Sequence, residues 1–186
     1  MIGGKNTKCQ GFTLLELLIA ISLFSIVIVG AIGLFISLIK NQQALLDRAY
    51  VLNTLSYTTE YMSKSMRMAQ KDDVAGACTG VSRGNFVLIG DTRIKFLNYN
   101  NECQEFYLAN GVLKVNKKIA GAWVGQDLTP AAINVESLKF ILSGQSQDDT
   151  LQPKVSFALR ARPVTGAAPS FLIQTTISQR MLDIWY

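Results

Sequence analysis

Histidine is absent from all 186 residues. The commonest general base and the commonest metal ligand are missing with it, so no histidine-based triad or metal centre can be assembled. No glycine-rich phosphate loop precedes the long helical segment. Carboxylates are paired at Asp72-Asp73 and Asp148-Asp149, each in a polar stretch. Adjacent residues seldom converge on one substrate, so these pairs read as solvated turns. A calcium site made from Asp148, Asp149 and nearby carbonyls fits no recognised ligand spacing. No catalytic residue, metal or cofactor is expected, and the chain does not read as an enzyme.

Charge is missing from a second place. The 28 residues from Phe12 to Ile39 hold one ionisable side chain, Glu16. At ~1.5 Å per residue a helix of that length spans about 42 Å, against ~30 Å for a bilayer core. A carboxylate near the start of such a segment costs ~2.5 kcal/mol or more on insertion scales, and residues of this kind usually have a partner. Helix breakers are scarce as well: no glycine or proline lies between Gly33 and Val74.

What is present starts before the apolar run. Met1 to Gly11 is hydrophilic, carries Lys5 and Lys8 and has no acidic residue. A secretory signal would place small residues after its apolar region. Here the chain continues as Lys40-Asn41-Gln42-Gln43, and the small residue Gly11 stands in front of the run instead. The stretch Gly11-Phe12-Thr13-Leu14-Leu15-Glu16, followed by Leu17-Leu18-Ile19-Ala20-Ile21, resembles the leader junction of type IV pilins and type II secretion pseudopilins. That resemblance implies a leader of residues 1–11, cut by a prepilin peptidase between Gly11 and Phe12 on the cytoplasmic side, with methylation of the new Phe12 amine. It also implies a cytoplasmic-membrane, single-pass protein whose C-terminal part is exported. Lys5 and Lys8 agree, by the positive-inside tendency.

Loss of the leader would lower the formal net charge from +5 by its two lysines, a mild excess that does not argue for nucleic acid. Cys9 would leave with it, and Cys78 and Cys103 would remain. An even pair in an exported domain reads naturally as a disulfide, with two buried free thiols as the alternative.

From Lys40 to about Lys71 the apolar residues Leu45, Ala49, Leu52, Leu55, Thr59, Met62, Met66 and Ala69 recur at steps of three or four. This predicts that residues 40–73 continue the helix with one face against a globular partner. Gly30 and Gly33 weaken the apolar half, by up to ~1 kcal/mol each against alanine. They fit either local unwinding on assembly or close helix packing. The stretch Asp72–Gly80 is rich in turn formers and marks a boundary. Strands are expected at 85–89, 93–99, 102–109 and 112–119, the last two joined through Asn110-Gly111. Residues 121–130 read as an irregular connection with Trp123 as a packing anchor. A second block follows at 135–142, 154–162 and 171–177.

The expectation is an α+β fold: a long N-terminal helix, transmembrane over 12–39, packed on an antiparallel β domain of residues 74–186. Two sheet segments fit the larger minor pseudopilins better than the smaller major ones, and the closing Thr175-Thr176-Ile177-Ser178-Gln179-Arg180 resembles the end of minor pilins or pseudopilins of the PilW/J type. The resemblance implies assembly by helix packing into a pilus or pseudopilus. Glu16 would set axial register by pairing with a neighbouring subunit's Phe12 amine. Other pilins, an inner-membrane assembly platform and membrane lipid are the expected partners. Two rival roles are a membrane-displayed adhesin or DNA-uptake subunit, and a major pilin. Lys114, Lys117, Lys118, Arg160 and Arg162, with Tyr99, Tyr107 and Trp123, are the residues a single strand would use. Strand-edge lysines that discourage aggregation explain them better, so nucleic acid is not an expected partner.

Overall fold

A computed structural model describes residues 11–73, 75–146, 151–164 and 169–181. The leader residues Lys5, Lys8 and Cys9, the pair Asp148-Asp149 and the tail Ile184-Trp185-Tyr186 lie outside the described residues. The chain divides into two units, one ending at Gln43 and one beginning at Ala44.

Helix α1 runs from Leu14 to Arg67. Its buried positions are Val51, Leu55, Thr58, Met62 and Met66, and Ala69 just beyond it is buried too. The expected stripe is therefore correct from Leu55 onward and rotated before that: Leu45, Ala49 and Leu52 are exposed. Thr58 takes the place expected of Thr59, its hydroxyl donating to the Thr54 carbonyl at 2.8 Å. A threonine satisfied within its own helix can face a core. The helix stops at Arg67, short of Lys71, with no breaker at that point. There Gln70 turns its N–H to the Leu97 carbonyl at 2.9 Å, and the helix end is met from the far end of the chain. Arg180 N–H donates to the Arg67 carbonyl at 2.8 Å, and the Gln179 side-chain amide donates to the Ala69 carbonyl at 2.9 Å. The last carbonyls of a helix need such partners.

Two antiparallel sheets follow. The first has strands β1 (Phe86–Leu88), β2 (Arg93–Leu97), β3 (Cys103–Ala109), β4 (Val112–Ile119) and β5 (Ala122–Asp127), in that spatial order. The second contains β6 (Ile133–Ser143), β7 (Lys154–Pro163) and β8 (Phe171–Ser178). Asn110 and Gly111 occupy left-handed conformations, φ 52° and 73°, as a tight hairpin between twisted strands requires. Residues 122–127 are a strand, not an irregular connection, and Trp123 is nearly half exposed instead of anchoring a core. The turn Ala120-Gly121 (φ 50° and 87°) makes the same tight hairpin with alanine at its first position, where no asparagine or aspartate signals it.

β6 runs across the hairpin ends of the first sheet: Val135 N–H bonds the Gly111 carbonyl and Phe140 N–H bonds that of Asp91. One core cluster joins α1 to both sheets, with Phe96, Phe106, Phe140 and Phe157 fully buried in it. At ~1.5–3 kcal/mol for each such side chain, the packing outweighs any local propensity of the segments involved.

Candidate processing and assembly site

Gly11, Phe12 and Thr13 precede α1 without helical structure. Phe12 is 78% exposed, and no atom lies within 4 Å of the space beside Gly11. The Gly11–Phe12 peptide bond is thus in an open, non-helical segment, the form in which a protease can seat a substrate.

The helix begins with a reciprocal cap. Glu16 N–H donates to the Thr13 hydroxyl oxygen at 3.3 Å, while a Glu16 carboxylate oxygen accepts from Thr13 N–H at 3.2 Å and from the Thr13 hydroxyl at 3.1 Å. This is a capping box, in which residues three apart satisfy donors that the first helical turn leaves orphaned. A carboxylate there also lies on the positive end of the helix dipole. Thr13 thereby joins Gly11, Phe12 and Glu16 at the site; its signal in the sequence is Thr-x-x-Glu directly ahead of an apolar run. Glu16 therefore has a partner within its own chain, and a neighbour's amine would have to compete with it.

Beyond the cap, every residue up to Tyr50 is exposed. Two hydroxyls inside the apolar run are bonded locally: Ser22 donates to the Ile19 carbonyl and Ser25 to that of Ile21, both at 2.8 Å. Each such bond lowers the cost of entering lipid, where an unpaired polar group is expensive. Among the described residues, α1 is the one helix long and apolar enough to cross a membrane. It continues unbroken through Gly30 and Gly33, beside which nothing lies within 4 Å.

Cys78 and Cys103 are joined in a disulfide with Cα atoms 5.4 Å apart, tying the segment after the helix to the start of β3. Asp72 and Asp73 are not two solvated turn residues. Asp72 is buried, and one of its oxygens accepts from Cys78 N–H (2.9 Å), Thr79 N–H (2.6 Å) and the Thr79 hydroxyl (2.9 Å). Burial pushes its carboxyl up, but the bonds from Thr79, Cys78 and Asp73 together hold it below the ordinary value. Asp73 is exposed and receives the Ala77 N–H.

The basic residues do not converge. Strand alternation sends Lys117 to the opposite face from Lys114 and Lys118. Lys114 is paired with Asp127, and Arg162 with Glu136 at 3.0 Å. Arg160 and Arg162 belong to the other sheet. Among the described residues, no three potential metal ligands cluster.

A lipid-length apolar helix with an accessible bond at its head, continuing into an α+β domain, fits the class of membrane-anchored, exported pilin-like proteins. A family model described as the prokaryotic N-terminal methylation motif matches residues 6–32. That match supports a type IV pilin-like or pseudopilin-like protein, and it implies processing by a prepilin peptidase and assembly with other pilins. No curated protein and no solved structure gives a significant match to the chain.

Proposed function

We propose that the chain is a minor pilin or pseudopilin subunit whose work is assembly, not catalysis. A prepilin peptidase removes residues 1–11 and methylates Phe12, and an inner-membrane platform packs residues 12–39 against those of neighbouring subunits. The observation that carries this reading is Glu16, the one charge in the exposed apolar stretch of residues 12–39, held in the first turn of α1 just past the Gly11–Phe12 bond. In the filament the carboxylate exchanges the Thr13 donors for a neighbour's cationic amine. This gain is partly offset by desolvation, so it fixes register more than it adds attraction. The second sheet supports a minor subunit over a major one, because it enlarges the exported domain beyond what covering one helix requires.

Intact mass of the membrane-extracted chain, with and without a co-expressed prepilin peptidase, tests the reading. Loss of Met1–Gly11 plus one methyl group is expected. An unprocessed chain beside an active peptidase would overturn it.

A further inference from the structure

We propose that the open edge of β5 is a docking site for an extended acidic segment of a partner protein, which adds to the first sheet as one more strand. β5 is last in the strand order, and all its residues are exposed. Its pairing with β4 closes over Ala120-Gly121 through Ile119 and Ala122, and the same phase returns where Leu128 N–H bonds the Leu113 carbonyl at 2.8 Å. Alternation of bonded and non-bonded pairs then turns the N–H and C=O groups of Trp123, Gly125 and Asp127 away from β4. Among the described residues no further strand meets them.

Other sheet edges are engaged or featureless. Phe86 N–H of β1 bonds the Gln145 side chain at 3.2 Å, and β6 spends Val135 and Phe140 N–H groups on the hairpin turns. β8 contains no charged residue by which to select a partner. β5 also lacks the usual protection of an edge: it has no lysine, no proline and no register shift. Its one charge, Asp127, is neutralised by Lys114. Apolar surface is present on both faces, with Trp123 45%, Val124 53% and the neighbouring Ile119 43% exposed.

The occupant follows from charge. Lys118 stands opposite Trp123, Lys117 stands opposite Val124, and the Lys95 ammonium lies 5.8 Å from the Trp123 ring centre. None of the three has a carboxylate partner among the described residues. Lys95 and Lys118 thus flank the Trp123 face, while Lys117, its ammonium 5.9 Å from the Tyr61 ring centre, stands on the other. A second copy of β5 would bring the same cations together, and like charges across strands are destabilising. A strand alternating acidic and apolar side chains meets the lysines, the apolar surface and the open backbone at once, which is strand addition with charge selection.

The test uses the full-length chain in detergent and a fluorescein-labelled peptide alternating glutamate with valine. Its lysine-for-glutamate analogue and a labelled oligothymidine serve as competitors. The acidic peptide should bind about tenfold or more tightly than the basic one, with slowed hydrogen exchange at Trp123, Gly125 and Asp127. Trp123→Pro, which removes an outward N–H and no bond to β4, should abolish binding. Should that variant misfold, Lys95→Glu with Lys118→Glu should reverse the preference between the two peptides. Equal binding of both peptides, no protection of these three amides, tighter binding of oligothymidine at this edge, or self-association through β5 would each overturn the proposal.

Discussion

The Glu16 carboxylate and Thr13 hold each other: oxygen accepts from the Thr13 N–H and hydroxyl while Glu16 N–H returns a bond to the Thr13 oxygen, all between 3.1 and 3.3 Å. An intramolecular cap lowers the cost of carrying a charge into an apolar layer, which stands at ~2.5–3.5 kcal/mol for an uncompensated residue. It also means that any partner in a filament is exchanged for an existing one.

Two substitutions separate the cap from the charge. Glu16→Gln keeps a side chain able to complete the box but removes the negative charge. Thr13→Val keeps the charge and the Thr13 N–H bond but removes the hydroxyl that caps Glu16 N–H, at about 1 kcal/mol of helix stability. Both variants should insert in the membrane. Incorporation into filaments, measured by shearing and immunoblotting, should fall strongly for Glu16→Gln and little for Thr13→Val. Undiminished incorporation of Glu16→Gln would end the register argument.

Asp72 gives the domain an acid-sensitive joint. Its carboxyl is held below the ordinary value, so the stabilisation is complete above about pH 4 and is lost as pH falls through the lowered value. Asp72→Asn strands at least one buried donor and should cost about 1–3 kcal/mol near neutrality. Thermal melting of the full chain at about pH 7 and about pH 3 checks the sign. The parent should lose stability between the two, and the difference between parent and variant should shrink on acidification.

The disulfide closes a loop of 25 residues in sequence separation. On the chain-entropy account such a closure is worth roughly 3.5 kcal/mol. Cys78→Ser with Cys103→Ser should lower the melting temperature by several degrees, and a reductant should lower that of the parent but not of the variant. Equal sensitivity to reductant in both would refute the assignment.

Gly111 combines two constraints, a positive φ of 73° and an Asn134 side chain in the space a Cβ would enter. Gly90 has a comparable φ of 65° with open space around it. Gly90→Ala should cost the backbone term of ~1–2 kcal/mol, and Gly111→Ala more, by the displacement of Asn134 from the turn. Urea unfolding of the two variants measures the difference. Equal losses would show that Asn134 yields freely.

The features legible in the sequence are those written in neighbouring residues. Alternation in Arg93–Leu97 and Lys154–Arg162, the Asn110-Gly111 turn and the apolar run behind Gly11, with Glu16 its one charge, each carry their signal within a few positions. The failures are tertiary. The core face before Leu55 is defined by what the sheets cover, so Val51 and not Leu52 is buried. β5 has alanine where a hairpin signal would stand, and its exposure hides the alternation that reveals strands. Asp72 looks like its exposed neighbour until Cys78 and Thr79 fold back upon it.

The end of α1 is held from a distance. The Arg67 carbonyl accepts from Arg180 N–H, and just past the helix the Ala69 carbonyl accepts from the Gln179 side chain, 110 residues away in sequence. Contacts so distant in sequence slow folding, because the long loop must close before they form. Removing Gln179 and Arg180 would leave both carbonyls without these donors, so the exit from the last strand and the exit from the helix are secured together.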